Sequence, residues 1–232
     1  MNGNNETTVV TTLGSRALRV TTDERGPLVV LLHGLAGMPE DLQPFASSMG
    51  VSARFIFPEG FSDLSQFGLP GRGWWPSDGS ARAAAIQSGT PRDLSRFEPP
   101  GLQEAHTALG ILLDEWVQES GGAPLILGGF SQGAMLAFDV ALRSQRPIAG
   151  LVQLSGAPIA GRLWTPALAQ RSGTRAFISH GRVDPDLSFT ATECFATELR
   201  AAGWQVDFCP FDGGHELPLV ALRGLKRFLR GF

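Results

Sequence analysis

The chain has no tyrosine and only two cysteines among its 232 residues. The missing tyrosine removes one residue type from the candidates for a catalytic acid, a catalytic base or an oxyanion donor. Cys194 and Cys209 stand in a predicted helix and a predicted strand, and we expect both to be small, buried hydrophobic residues. So few cysteines are typical of a protein in the reducing cytoplasm, which is the location we predict.

Long apolar runs, basic runs and metal-ligand patterns are missing as well. No stretch approaches the roughly 18 apolar residues that span a bilayer, so we expect no stable membrane insertion. The first eight residues lack the basic and apolar regions of a signal peptide. The formal net charge is −3 and the arginines are scattered among acidic residues, so nucleic-acid binding is not expected. No cluster of His, Cys and carboxylate residues has metal-ligand spacing, and we predict no metal.

Strand-like and helix-like segments alternate from residue 27 onwards. Buried strands are predicted at residues 27–32, 54–57, 124–127, 148–154, 175–179 and 204–208. Helices are predicted between them, at residues 39–49, 101–119, 134–142, 188–202 and 217–229. This alternation indicates an α/β fold, with a mostly parallel central sheet and helices on both faces. The length fits a single domain over residues 1–232, in which residues 1–14 are either flexible or an edge strand.

Residues 59–100 interrupt this alternation. They are rich in Gly, Pro, Ser and Arg and show no sustained periodicity, and compact domains rarely keep so long an irregular connection without a use for it. We interpret them as an irregular insertion that forms a wall or a lid near the active site. Trp74 and Trp75 stand in this segment, and isolated exposed rings would be costly. We therefore expect both tryptophans, with Leu69 beside them, to line the substrate pocket.

The sequence Gly-Phe-Ser-Gln-Gly at residues 129–133 follows a predicted strand and precedes a run of helix formers. A serine at the top of such a turn has a strained backbone, and its neighbours two positions away must be small so that strand and helix can pack. The helix N-terminus also favours developing negative charge. The pattern predicts Ser131 as a catalytic nucleophile.

A serine hydroxyl needs a general base, and four histidines are available. His215 lies in a glycine-rich loop after the last predicted strand, at the sheet edge where the loop of Ser131 is also expected. It is therefore our candidate base. His106 is expected to be structural on the apolar face of a helix. His33 and His180 each end a predicted strand and are expected to orient loops.

The carboxylate that orients the base should fall between serine and histidine along the chain, as is usual for a serine in such an elbow. Asp184 follows a predicted strand and is our choice over its neighbour Asp186, because Pro185 locks the turn around it. Two further aspartates are expected to be solvated or to cap turns: Asp207 and Asp212.

Two N–H groups should face the nucleophile to bind the oxyanion. The residue after the serine, Gln132, provides one through its backbone. The second should come from the loop after an early strand, where a His-Gly pair precedes Leu35. We expect the Leu35 N–H to be this donor.

These motifs together resemble the phospholipase/carboxylesterase family of α/β-hydrolases, which includes acyl-protein thioesterases and lysophospholipases. The resemblance runs from about residue 27 to the C-terminus and rests on the His-Gly pair at 33–34, the Trp pair at 74–75, the elbow, the segment 180–185 and the Gly-His-Glu at 214–216. It implies a Ser131, Asp184 and His215 triad, no cofactor, and hydrolysis of carboxylic esters, with thioesters or lysophospholipids as further substrates.

Two positions depart from the family pattern. Ala134 and Ala36 stand where glycines are frequent in the family, which affects the shape of the oxyanion site and the acyl pocket more than the reaction type. Two other functions are considered: a non-catalytic ligand-binding protein on the same fold, and a triad hydrolase that acts on lactones. The expected partner is a small acyl ester or thioester, and a homodimer is left open.

Overall fold

The structure, a computed structural model, describes residues 7–232. An eight-stranded sheet has the order β1-β2-β4-β3-β7-β8-β9-β10, and β5 pairs with β6 in a separate two-stranded sheet. The strands are β1 Thr7–Thr12, β2 Ser15–Thr21, β3 Leu28–Leu32, β4 Arg54–Pro58, β5 Ser62–Asp63, β6 Arg72–Gly73, β7 Leu125–Phe130, β8 Gly150–Leu154, β9 Arg175–Gly181 and β10 Gln205–Phe211. In the large sheet, β2 pairs antiparallel with both β1 and β4. The remaining neighbours in the order β4-β3-β7-β8-β9-β10 pair in parallel.

Helices cover both faces of the large sheet. They are α1 Pro39–Met49, α2 Ser80–Ser88, α3 Leu102–Glu119, α4 Gln132–Arg143, α5 Gly161–Leu168, α6 Phe189–Ala201 and α7 Leu219–Leu229. Alternate residues of β3 point to opposite sides, so Leu28 and Val30 pack with α3 and α4 while Val29 packs with α1 and α7. The predicted fold class, a mostly parallel sheet with helices on both faces, is confirmed.

The strands at the N-terminal edge of the sheet differ from those predicted from the sequence. Strand β1 is an edge strand, one of the two alternatives for residues 1–14, whereas residues 1–6 lie outside the described residues. Strand β2 was not predicted, although Ala17, Leu18 and Val20 are buried in it. The alternation is imperfect because Ala17 and Leu18 are consecutive and both buried, so a period of two does not reveal the strand.

Residues 59–100 are more ordered than their composition indicates. They contain β5, β6, a short 3₁₀ turn and the nine-residue helix α2, so the prediction of an irregular segment is wrong in this respect. Helix α2 buries only Ala85, which explains why no apolar period marks it. Helix α5 was likewise missed, because Pro166 lies inside it.

Cys194 is exposed on α6 and Cys209 is partly buried, so the prediction of two buried cysteines is wrong for Cys194. Within residues 7–232, no helix is long and apolar enough to cross a membrane. The carboxyl ends of β3, β7, β9 and β10 meet at one edge of the sheet, and the loops that follow them carry the candidate residues.

Candidate active site

Ser131 occupies the turn between β7 and α4 with φ 52° and ψ −120°. Positive φ is uncommon for a non-glycine residue and persists only where the surroundings enforce it. A Cβ on Gly129 would lie 2.4 Å from the Leu32 carbonyl oxygen, and one on Gly133 would lie 2.4 Å from the carbonyl oxygens of Leu32 and His33. Both glycines are therefore required for the close packing that holds Ser131 in this conformation.

Ser131, His215 and Asp184 form a continuous line of hydrogen bonds. The distance from Ser131 Oγ to His215 Nε2 is 2.9 Å, and His215 Nδ1 lies 2.7 Å from Asp184 Oδ2. A neutral His215 with its proton on Nδ1 donates to Asp184 and accepts from the Ser131 hydroxyl. This is the arrangement needed to remove a proton from a serine nucleophile.

Asp184 is buried, with 2% of its surface exposed. Its Oδ1 accepts the N–H groups of Asp186 at 2.8 Å and Leu187 at 3.0 Å, and its Oδ2 lies 3.3 Å from His180 Nε2. Burial by itself raises the pKa of this carboxyl, but hydrogen bonds from His180, His215 and the Leu187 N–H outweigh it and hold the pKa well below its usual range. Asp184 therefore stays ionised beside His215.

Gln132 and Leu35 line the same cavity as Ser131. Gln132 is the first residue of α4, where backbone N–H groups have no partner within the helix. Within residues 7–232, the Leu35 N–H donates no hydrogen bond. Ala36, next in this turn, has φ 61°, a conformation that glycine adopts more readily. The two N–H groups are available to an oxyanion beside Ser131.

The Gln132 side chain connects the elbow to the segment 59–76. Its Oε1 accepts the Trp74 N–H at 2.9 Å, and the Trp74 indole N–H donates to the His33 carbonyl oxygen at 2.8 Å. The Gly60 N–H donates to His33 Nε2 at 3.0 Å, so this nitrogen carries no proton. Burial lowers the pKa of His33, which keeps the ring neutral in this role. His33 thus orients a loop, as expected.

A cavity of about 270 Å³ opens beside Ser131 and His215. Its apolar lining comes from Trp75, Leu94, Phe97, Pro99, Phe130 and Met135. Of the three expected pocket residues, Trp75 lines the cavity, whereas Trp74 and Leu69 do not. Trp74 is 1% exposed and packs against His33 and Phe61, and Leu69 lies beside Gly79 away from the cavity. The prediction is corrected for these two residues.

Sequence reasoning missed most of the cavity lining. Met135 is one helical turn after Ser131 and Phe130 directly precedes it, so helical spacing from the elbow would have found both. Leu94 and Phe97 lie in the long segment, where no periodicity points to them. Asp186 also lines the cavity, and its carboxylate pairs with two arginines instead of His215.

His106 Nδ1 lies 2.8 Å from Asp139 Oδ2 on the opposite side of α4, in keeping with a structural role. Over the part of the chain that the structure describes, no three His, Cys, Asp or Glu side chains are grouped so as to hold a metal ion.

A comparison with protein families relates this geometry to known proteins. The sequence profile of the Phospholipase/Carboxylesterase family matches residues 17–232. The chain belongs to this family. Acyl-protein thioesterase 1 from Aspergillus fumigatus is 24% identical over 212 residues, which cover 87% of this chain and 86% of the relative. The protein is therefore a hydrolase of the phospholipase/carboxylesterase family.

Solved structures give the same fold. A carboxylesterase from Mesorhizobium loti superposes with a TM-score of 0.73 at 18% identity, covering 97% of this chain and 99% of the other. Esterase PE8 superposes with a TM-score of 0.71 at 23% identity, covering 97% and 98%. With the family match, these similarities identify the fold as an α/β-hydrolase.

Proposed function

We propose that this phospholipase/carboxylesterase family member hydrolyses esters of short carboxylic acids through an acyl-enzyme on Ser131. The observation that carries the proposal is the hydrogen-bonded line from Asp184 through His215 to Ser131. It ends in a cavity lined by Leu35 and Gln132, whose N–H groups donate no hydrogen bond within residues 7–232. A non-catalytic binding protein would not require a strained serine conformation or a buried carboxylate behind a histidine.

In the first half of the reaction, Ser131 Oγ attacks the acyl carbonyl while His215 Nε2 takes the hydroxyl proton. The N–H groups of Leu35 and Gln132 bind the oxyanion of the tetrahedral intermediate. The ionised Asp184 stabilises the imidazolium that forms. His215 then gives its proton to the leaving oxygen, and the alcohol departs from the acyl-enzyme.

In the second half, water takes the place of the alcohol. His215 removes a proton from the water, which attacks the acyl carbonyl and passes through a second oxyanion held by the same two N–H groups. The C–O bond to Ser131 breaks, the serine recovers its proton from His215, and the free acid leaves. His215 must therefore be neutral at the start of each half of the reaction.

The size of the cavity supports a short acyl group. Ligand pockets usually measure about 300–1,000 Å³, and the cavity of about 270 Å³ lies just below this range. Short esters are therefore favoured over lysophospholipids and long-chain thioesters, and a lactone remains an alternative substrate of the same triad. The cytoplasmic location and the homodimer stay predictions.

The first experiment tests Ser131 as the nucleophile and Asp184 as the carboxylate that orients His215. A fluorophosphonate should label Ser131, and Ser131→Ala should abolish both labelling and ester hydrolysis. Asp184→Asn should lower kcat about 10³- to 10⁴-fold, as the equivalent change does in a serine protease. Asp212→Asn is the matched control, because this exposed carboxylate precedes the loop of His215 without contacting the ring.

A panel of acetate, butyrate and octanoate esters, a matching thioester and a γ-lactone then identifies the bond that is cleaved. Hydrolysis of the short esters at the highest kcat/KM supports the proposal. Full activity of Ser131→Ala, or turnover of the lactone alone, would contradict it.

A further inference from the structure

The cavity beside Ser131 has a charged end that the triad does not use. Arg82, from α2, Arg92 and Asp186 all line it. Arg82 Nε donates to Asp186 Oδ2 at 3.2 Å, and Arg92 Nε donates to Asp186 Oδ1 at 2.9 Å. Two guanidinium groups thus share one carboxylate within reach of the nucleophile's cavity.

The charges in this cluster do not cancel. Asp186 is 2% exposed and each of its carboxylate oxygens accepts from one of the two arginines. Arginine stays protonated under all ordinary conditions, so two positive charges face one negative charge. Asp186 is the only acidic residue in the cavity lining within residues 7–232. The side chains that line this end of the cavity therefore carry two positive charges and one negative charge, and the ionised Asp184 beside them does not line the cavity and hydrogen-bonds to His215.

The arginines also keep free donors. Within the described residues, the two Nη atoms of Arg82 and the Nη1 of Arg92 make no hydrogen bond. The Arg82 side chain is 48% exposed and that of Arg92 is 27% exposed, so both can reach a ligand. A guanidinium with unused N–H groups is well suited to bind a carboxylate, because its planar fork matches two carboxylate oxygens.

The backbone around Arg92 holds this arrangement in place. The Arg92 N–H donates to the Asp186 carbonyl oxygen at 2.7 Å, and the Arg92 carbonyl oxygen accepts the Ser188 N–H at 2.9 Å. These bonds attach Arg92 to the loop that follows Asp184. These backbone bonds already join the segment of Arg92 to the loop after Asp184. Holding the two together therefore does not require the second guanidinium group, that of Arg82 on α2.

We propose that the cavity takes esters that carry a carboxylate, and that Arg82 and Arg92 bind this group while Ser131 attacks the ester carbonyl. The inference rests on the proposed esterase function and adds the substrate class. The apolar lining between the two ends, from Leu94, Phe97 and Met135, accommodates the short carbon chain that joins the carboxylate to the ester. The natural substrate is then a small half-ester or an acylated hydroxy acid.

Matched substrates test the inference directly. p-Nitrophenyl hydrogen adipate and p-nitrophenyl hexanoate have acyl chains of equal length that end in a carboxylate or a methyl group. We expect wild-type kcat/KM to be about tenfold higher for the adipate half-ester, which corresponds to about 1.4 kcal/mol. The ratio should fall towards one in Arg82→Gln, recover in part in Arg82→Lys, and decrease as NaCl screens the charge.

Arg162→Gln is the matched control. This arginine is exposed, lies outside the cavity and pairs loosely with Glu98 at 3.6 Å. It should keep the wild-type ratio.

A second substrate pair, acetoxyacetate and isobutyl acetate, places the carboxylate on the alcohol side of the ester. Whichever pair shows the larger ratio identifies the side of the ester that carries the acid.

Direct binding of adipate, measured by calorimetry, separates this inference from the esterase proposal. Binding to wild type and Ser131→Ala that weakens about tenfold in Arg82→Gln supports the carboxylate site, even if no ester is cleaved. Ester hydrolysis with a ratio of one or less for both substrate pairs, or a ratio that Arg82→Gln leaves unchanged, overturns the carboxylate site and leaves the esterase proposal intact. Absence of both hydrolysis and adipate binding overturns both.

Discussion

The two halves of the segment 59–100 differ in what they contact. The first half, residues 59–76, packs against the turn after β3 and the Gln132 side chain, and buries Leu64 and both tryptophans. The second half, residues 77–100, attaches to the loop after Asp184 and to residues 160–161, and leaves most of α2 exposed. The first half supports the turn at Leu35 and Ala36, which we propose to bind the oxyanion and call the oxyanion turn, and the second half forms much of the cavity wall.

This difference separates catalysis from selectivity. A Cβ on Gly71 would lie 2.5 Å from the Ala36 carbonyl oxygen, so the first half touches the backbone of the oxyanion turn itself. Side chains of the second half meet the catalytic residues only across the cavity. We therefore expect changes in the first half to affect stability and all substrates, and changes in the second half to affect the choice of substrate. The hydrogen bonds of both halves favour a fixed wall over a mobile lid.

The largest effect is expected for Trp74→Ala. Truncating a fully buried tryptophan leaves a cavity and usually costs about 3–5 kcal/mol of unfolding free energy. Trp74 is 1% exposed and its indole N–H donates to His33, so a value in this range is expected from urea unfolding. Hydrolysis of short and long esters should fall together. A change of less than 1 kcal/mol would contradict the structural role of the first half.

Gln132→Ala should have the next largest effect. It removes the acceptor of the buried Trp74 N–H, which costs about 1–3 kcal/mol when a buried donor is left unpaired. The backbone N–H that we propose to bind the oxyanion remains in this variant. Urea unfolding of Gln132→Ala measures this loss. A loss well below about 1 kcal/mol would show that the hydrogen bond to Trp74 is not important for the stability of the first half.

As the pH falls, protonation of His33 should destabilise the first half of the segment, residues 59–76, before protonation of Asp184 lowers the stability further. Burial lowers the pKa of His33 in the folded state, so the unfolded chain binds the extra proton more readily. Stability should then fall as the pH drops below the ordinary histidine value of about 6.5. The pKa of Asp184 is held below its ordinary value. Its contribution to stability is present above about pH 3.9 and is lost only as the pH falls further.

Urea unfolding at a series of pH values measures both steps. The protection factor of the Gly60 amide, which is its hydrogen-exchange rate corrected for the intrinsic pH dependence of exchange, reports on the first half directly because this N–H donates to His33 Nε2, and it should decrease in the first step. His33→Asn has no imidazole at this position and should lack that step. Stability that stays constant from pH 7 to 5 in the wild type would contradict the assignment to His33.

Phe97→Ala should have the smallest effect on stability. Its ring is 49% exposed, so we expect a loss below about 1 kcal/mol. Because Phe97 lines the cavity, kcat/KM should fall about fourfold for hexanoate esters and little for acetate, in line with about 0.8 kcal/mol per buried methylene. An equal fall for both esters would mean that the second half does not select the acyl chain.

Much of the fold and the candidate site could be predicted because the signals are local. A buried parallel strand is a short apolar run, and the elbow needs small residues two positions before and after Ser131. Strand β2 and helices α2 and α5 were not predicted, because the burial of their side chains depends on residues that are close in space but distant in sequence. The choice of Asp184 over Asp186 relied on a nearby proline, and the structure adds the contacts that distinguish the two carboxylates.

The sequence by itself determined the alternation of the parallel strands with most of the helices, the elbow around Ser131 and the residue types available for acid, base and oxyanion donor. These properties depend on local sterics and on the chemistry of single side chains. Only the tertiary structure decided that Trp75 faces the cavity while Trp74 is buried, and that Arg82 and Arg92 meet at Asp186. The two arginines contact Asp186 across 104 and 94 positions of the chain, and only the packing of the whole chain brings such residues together.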